Sequence, residues 1–434
     1  LHPATVCFAV LGRTALVGRL VQSLENRAVT TFNPTRTVGG RQGGYTDMSE
    51  TTLDSAENAD YSGFFNKVRK FAVVEGGTTF AIRTPDGNVT SFGEGTPVFT
   101  VTVSDERAIR VLASLDEGNI ANAYVKGWFD VEGDFTRFYD LRTQLTDKHF
   151  MQWAWRFIAP AVLGQVRMNK SAISHHYDRD ASFYLSFLDP QTRCYTQGIY
   201  EHADEPVEVA MRRKFEFCID ACKLQAGSRV LEIGPGWGAF SAHAARQGIE
   251  VTGLTISEAS LAFMNKLAAD ENLPIKTSFE DILTYDTDEQ YDAIVIMGVM
   301  EHLPDYQRVL KQFQRFLVPG GHVFLDASAN RTKYLHSSFI TEHIYPSNHS
   351  FFVLHDFLEA LADTPMHLRG VWDDRESYHH TFVDWAKRFD SNKEFITERF
   401  GGEDFRRFRL YLWGSAHCFL HDTLQCYRLV LQKP

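Results

Sequence analysis

The sequence predicts an α/β protein, a parallel sheet with helices between its strands, preceded by a smaller α+β unit. Three observations predict it. From about residue 173 onward, short apolar runs of strand length alternate with helix-patterned stretches. One of those runs, Ser228 to Ile233, ends in the glycine-dense turn Gly234-Pro235-Gly236-Trp237-Gly238, and a helix opens near Ala239. Ahead of them, residues 61–145 carry short strands and turn signals.

A chain of 434 residues suffices for two or three domains. Hydrophobic content of 44% and charge of 23% suit a soluble globular protein. The net charge of -11 argues against a nucleic-acid groove as the main function. No uninterrupted apolar run reaches the ~20 residues that cross a bilayer. The cysteines include no C-x-x-C pair, and Cys218 and Cys222, one helical turn apart, read as buried thiols. Both features suggest a reduced, cytoplasmic protein. Residues 1–47 differ, with five arginines, no lysine and only Glu25 and Asp47 as acids. Arg13 and Arg19 interrupt the apolar start, so it is a poor signal peptide. Met48-Ser49-Glu50 reads as a start, which makes 1–47 a disordered tail or an upstream translation artefact. A weak amphipathic membrane helix is the minor alternative.

In chain order, residues 80–90 read as a hairpin turning at Pro85-Asp86-Gly87, followed by a strand at Phe99–Val103. A helix is predicted over 105–115, begun by Ser104. Residues 146–172, with Phe150, Trp153, Trp155 and Phe157, read as a partly helical connection that either faces a membrane or packs in a core. Strands are predicted at 229–233, 250–254, 275–277, 293–297 and 322–326, with helices near 239–247, 258–271 and 306–317 and a sharp turn at Pro319-Gly320-Gly321. In such sheets ligands lie beyond the carboxyl ends of the strands. Glu232, Thr255, Asp281, Glu301 and Asp326 fall on or near that edge.

Glycine at 234, 236 and 238 lets the backbone take positive φ and lets a ligand lie against bare main chain. A tight turn with no ligand is the plain alternative. The spacing is G-x-G-x-G, unlike the G-x-G-x-x-G of dinucleotide folds. With Glu232 ahead of it, the loop resembles the cofactor loop of S-adenosyl-L-methionine (AdoMet) methyltransferases. Together with Gly253-x-Thr255-x-Ser257, it is similar to the cyclopropane-fatty-acid synthase family. Further stretches share the resemblance: Ser174-His175-His176-Tyr177-Asp178, Leu188-Asp189-Pro190 with Tyr195-Thr196 and Tyr200, Met297-Gly298-Val299-Met300-Glu301-His302, and Tyr378-His379-His380-Thr381 with Trp385. Glu117-Gly118 through Gly127-Trp128-Phe129 resembles the family's N-terminal lipid-binding domain, so the likeness covers roughly 60–434.

The resemblance implies a Rossmann-like class I AdoMet methyltransferase domain over 173–434, joined through 146–172 to a small α+β lipid-binding domain over 60–145. It implies AdoMet as cofactor, contacted by Tyr177, Glu232, Gly234, Gly236, Gly238, Thr255, Ser257 and Asp281. The substrate it implies is the double bond of an unsaturated phospholipid acyl chain, reached by peripheral contact with the inner face of the membrane. The product is a cyclopropane, a methylene or a methyl branch. A homodimer is left open, and no nucleic acid or metal is expected. An alkene is a poor nucleophile, so methyl transfer relies on close positioning, and the resulting cation needs aromatic faces, exclusion of water and a base. Tyr177, Tyr195, Tyr200 and Tyr378 suit the aromatic role.

In the family the base is generally a bicarbonate held by a Cys, a Glu, a His and a Tyr. Position by position, the Glu falls on Glu301 and the Tyr on Tyr378, but the Cys falls on Gln197 and the His on Asp326. An acid beside Glu301 makes a bicarbonate anion unwelcome, and two neighbouring carboxylates raise one pKa. The expectation is that Glu301 or Asp326 takes the proton itself. Two rival functions remain: methylation of a small amine on the same fold, and a lipid-binding protein whose catalytic site has decayed. His175, His176, His379 and His380 show no metal-ligand spacing. Residues 404–413 mix basic and aromatic groups, as either a headgroup contact or an ordinary amphipathic helix.

Overall fold

Two sheets organise the chain. The computed structural model describes residues 60–71, 77–145, 180–333, 337–345 and 350–434. The expected tail 1–47, the connection 146–172 and the segment 174–178 with Tyr177 lie outside the described residues. Asn58–Pro434 form one compact unit.

The smaller sheet has the order β2-β1-β3-β4, with β1 at Phe80–Arg83, β2 at Val89–Phe92, β3 at Phe99–Val103 and β4 at Phe129–Gly133. The hairpin turns at Pro85-Asp86-Gly87: Gly87 takes φ 86° and its amide donates to the Thr84 carbonyl at 2.8 Å. Phe80 stacks between Phe92 and Phe99, which makes one face of the sheet apolar. The helix expected from Ser104 runs over Arg107–Leu112 instead. The Ser104 amide is tied to the Trp128 carbonyl at 2.9 Å, so Ser104 still belongs to the strand exit. Asp105 accepts the Arg107 amide at 2.8 Å in its place.

The larger sheet has the order β10-β11-β9-β8-β5-β6-β7. Its strands are β5 (Arg229–Ile233), β6 (Glu250–Thr255), β7 (Ile275–Phe279), β8 (Tyr291–Met297), β9 (Leu317–Ala329), β10 (His367–Asp373) and β11 (Gln425–Gln432). Strands β5 to β9 are mutually parallel, and β11 runs antiparallel to both β9 and β10. The chain moves from β5 outward to β6 and β7, then returns to β8 on its other side. That reversal opens a crevice beyond the ends of β5 and β8. Pro319-Gly320-Gly321, expected as a turn ahead of the strand, lies inside β9. The register against β8 jumps from Tyr291↔Leu317 to Ala293↔His322, so these residues form a bulge, with Gly320 at φ 83°.

Two helices near the C-terminus, Arg375–Ser391 and Gly402–Leu420, pack against each other. Tyr378, Phe382, Trp385 and Phe389 recur at helical spacing and are buried. The basic and aromatic run 404–413 lies in the second helix. Phe405, Phe408 and Leu412 are buried, Arg407 pairs with Asp404, and Arg409 donates to Asp390 at 2.9 Å. This helix also reaches the smaller sheet's side of the molecule: Arg409 donates to the Tyr124 hydroxyl at 3.1 Å, and the Tyr139 hydroxyl donates to the Leu410 carbonyl.

Candidate active site

At the end of β5, Gly234, Gly236 and Gly238 take φ of 70°, 53° and 72°. A Cβ on Gly234 would lie 2.5 Å from Val299 Cγ2, and one on Gly238 would lie 2.6 Å from Leu267 Cδ2. At Gly236 an added Cβ meets no atom within 4 Å. The loop therefore packs its first and third glycines against the protein and leaves the second facing open space. Around it lies a cavity of about 150 Å³, lined also by Glu232, Thr255, Ser257, Glu280, Asp281 and Met297-Gly298-Val299. Of the residues expected to touch a cofactor, all that are described line this cavity except Gly238.

Their local bonds explain the placement. The Ser257 hydroxyl accepts the Ser260 amide at 3.2 Å and starts the helix Glu258–Glu271, while Thr255 Oγ1 accepts the Ser257 amide at 3.1 Å. Asp281 accepts the Leu283 amide at 2.8 Å. Glu232 is buried and accepts the Ser241 hydroxyl, and burial pushes its carboxyl up to about 7. Bare main chain at Gly236 beside hydroxyls and carboxylates is a cradle of the right chemistry for the ribose and amino-acid groups of AdoMet, so the residues fit that cofactor.

A second cavity of about 440 Å³ lies alongside, and its wall is mostly apolar and aromatic. Helix and strand residues of the smaller sheet's region (Val68, Ile82, Val101, Ala121) form one part, and Tyr378, Phe382, Trp385 and Tyr411 form another. Tyr195, Thr196, Gly298 and His302 line both cavities. They make a collar where the two spaces meet. Gly298, at φ 65°, is required there, because a Cβ would lie 2.4 Å from Thr196 Cγ2.

Glu301 stands in the wall of the larger cavity, on the short turn Met300–His302 after β8. Its Oε1 accepts the Ser328 amide at 2.6 Å. Its Oε2 is buried with no hydrogen-bond partner among the described residues. Burial is the main reason its carboxyl is pushed up to about 7, and the Asp326 charge adds to it. Burial also lowers His302 to about 4, which leaves it neutral at pH 7. Tyr378 lines the same cavity, with its phenol held well above its ordinary range by burial.

Gln197 and Asp326 are brought near this wall but not into it, and neither lines either cavity. The Gln197 amide donates to Asp374 at 3.3 Å, and Asp374 pairs with Arg428 at 3.5 Å. Asp326 accepts the Gly298 amide at 2.9 Å and pairs with Lys214 at 3.4 Å. The expectation that Asp326 itself takes a substrate proton is thus at odds with its surroundings, since both its oxygens are committed to protein donors. Lys214 was not anticipated. A signal existed: it sits on the helix Val207–Ala221 in one stripe with Met211, Phe215 and Cys218, where a lysine is out of place.

Among the described residues, Asp140, His417 and His421 gather within metal-ligand range. Asp140 is already engaged by the Thr78 hydroxyl and by Arg137 at 3.2 Å, and that arginine opposes a cation there. No described helix is long and apolar enough to cross a membrane.

A family model described as mycolic acid cyclopropane synthetase matches residues 165–429. The cyclopropane-fatty-acyl-phospholipid synthase of Escherichia coli (strain K12) is 26% identical over 346 residues, 74% of this chain and 84% of its own. The sphingolipid C9-methyltransferase of Komagataella phaffii is 25% identical over 337 residues, 71% of this chain and 68% of its own. The crystal structure of mycolic acid cyclopropane synthase CmaA1 complexed with SAH and CTAB shares the fold, with a TM-score of 0.56 at 22% identity over 61% of this chain and 98% of its own.

Proposed function

The chain belongs to the mycolic acid cyclopropane synthetase family of AdoMet-dependent methyltransferases, and from that premise we propose that it methylates the double bond of an unsaturated phospholipid acyl chain. The observation that carries the reading is the collar of Tyr195, Thr196, Gly298 and His302, shared by a glycine-lined cavity and a large apolar one, with an unpartnered carboxylate oxygen beside it. AdoMet, when bound, supplies an electrophilic methyl on its sulfonium.

The glycine loop, Thr255, Ser257 and Asp281 would hold AdoMet in the smaller cavity, which the collar joins to the apolar one. The apolar wall takes the acyl chain and keeps water from the reacting carbons. Tyr195, Tyr378 and Trp385 offer ring faces to the positive charge that develops on the alkene. Glu301 Oε2 then receives the proton. A carboxyl near 7 is well matched to that task, since about half of it is ionised at neutral pH. Gln197 and Asp326, each engaged with a protein partner, leave the chain with no evident need of bicarbonate.

The size and apolar lining of the larger cavity favour a lipid over a small amine. Sphingolipid methyltransferases among the relatives make a sphingolipid double bond the second substrate to test. Purified protein is incubated with isotopically labelled AdoMet and vesicles of monounsaturated phospholipid, or of unsaturated sphingolipid, and the chains are fragmented in a mass spectrometer. Label in the phospholipid chain as a ring, methylene or methyl branch supports the proposal. Label in the sphingolipid alone, or in neither, refutes it.

A further inference from the structure

We propose that the buried Lys214–Asp326 pair is a positioning element of this site: it fixes the collar between the two cavities and sets a fixed negative charge beside Glu301. The inference rests on the function proposed above. Both side chains are fully buried, and their charged ends are 3.4 Å apart.

The pair touches both sides of the collar. Lys214 Nζ donates to the Thr196 hydroxyl and lies 3.5 Å from Cys194 Sγ. Asp326 Oδ1 accepts the Gly298 amide at 2.9 Å. Thr196 and Gly298 pack directly on each other, with no room for even a Cβ between them. One ion pair thus holds the segment before the helix Val207–Ala221 against the turn after β8. Glycine at 298 makes that turn possible, and its amide donates to both the Asp326 carboxylate at 2.9 Å and the Asp326 carbonyl at 3.1 Å.

The same carboxylate bears on Glu301. Asp326 and Ser328 are two apart on β9 and so share a face of the strand, and it is the Ser328 amide that holds Glu301 Oε1. The other titratable groups around Glu301 are His302 beside it, Tyr378 and Tyr411 on the two C-terminal helices, and Cys426 on β11. Burial keeps each of them neutral near pH 7, raising the tyrosines and the thiol and lowering the imidazole. Asp326 is a charged neighbour that raises Glu301. Burial opposes both charges: it raises the Asp326 carboxyl against the pull of Lys214, while at Lys214 Asp326 and Cys194 together outweigh it and hold the amine above the ordinary lysine range. A lysine that keeps its proton 3.4 Å away favours the ionised carboxylate. A negative neighbour makes Glu301 a stronger base.

The two roles are separable. In the double variant Asp326→Asn/Lys214→Met no charge is stranded, and Asn can still accept the Gly298 amide. In Asp326→Leu/Lys214→Met the side-chain acceptor is lost as well, and only the main-chain carbonyl of residue 326, 3.1 Å from the Gly298 amide, still holds that turn. The ligand-free proteins are titrated by infrared spectroscopy, and the protonated-carboxyl band of Glu301 is assigned by its absence in Glu301→Gln. Expected is a midpoint lower by about half a pH unit or more in the Asn variant. In methyl transfer its acid limb moves down in parallel, while the Leu variant loses about tenfold or more in kcat with product-nucleoside affinity changed by less than about threefold. An unmoved midpoint, or a Leu variant with unaltered kcat, overturns the proposal. If the wild-type protein transfers no methyl group, the function proposed above fails, while the infrared arm still judges the charge of Asp326 on Glu301. Should either double variant not fold, Lys214→Gln gives the same readouts, and an unchanged midpoint and kcat there count against it equally.

Discussion

At the residue scale the account turns on Glu301. Its carboxyl is pushed from 4.5 up to about 7, chiefly by burial, so the folded state binds the proton more tightly than the unfolded chain. Its contribution to stability is full below pH 4.5 and is lost as pH rises through about 7. Glu301→Gln therefore makes the protein more resistant to denaturant at pH 8, by at most about 3 kcal/mol, and the advantage disappears near pH 4. The same variant loses at least about a hundredfold in turnover while still binding S-adenosylhomocysteine. In the wild-type protein kcat rises with pH across about 7, as the carboxylate forms. Glu301 was legible from its place after a strand and from the resemblance. What the sequence hid was the partner of each neighbour: nothing in Gln197 or Asp326 points to Asp374 or Lys214, because those pairings join residues 177 and 112 positions apart.

At the element scale the strand ends do the positioning, and they were readable because parallel strands are short apolar runs closed by glycine or acid. β5 was placed at its observed bounds, and β6 to β8 within two residues. β10 was not foreseen, since it is an edge strand with mostly exposed side chains and no apolar alternation to reveal it. The bulge in β9 reads as a turn in the sequence because Pro-Gly-Gly carries the same composition in both settings. The glycine loop yields a test at this scale. Gly236→Ala adds a methyl group where no protein atom stands within 4 Å, so it destabilises the fold by only about 1–2 kcal/mol from its positive φ. It is expected to weaken S-adenosylhomocysteine binding by roughly tenfold or more, read by calorimetry. Binding left unaltered would mean that the loop does not face the cofactor.

At the scale of the whole molecule, the larger cavity is built by both sheets' surroundings, with the helix Gly402–Leu420 contributing Leu410, Tyr411, Gly414 and Phe419 to its wall. The sequence announced the smaller sheet's hairpin and strands but not a cavity shared with the C-terminal helices. Such a space depends on packing between segments as distant in sequence as Val68 and Phe419. Ala121, on the helix Glu117–Val125, lines it from the smaller sheet's side. Ala121→Phe is expected to raise KM for long acyl chains by about tenfold relative to short ones, with cofactor affinity unchanged. An equal effect on both chain lengths would place the chain elsewhere. The central claim, that Glu301 of this chain takes the proton after methyl transfer to a lipid double bond, meets its most direct test in carbonate-depleted buffer. Transfer from labelled AdoMet to monounsaturated phospholipid is measured there for wild type and Glu301→Gln, with and without added bicarbonate. The wild-type rate is expected to be indifferent to bicarbonate, and bicarbonate is expected not to restore the variant. A wild-type rate that collapses without bicarbonate, or a Gln variant that turns over normally, would contradict the claim.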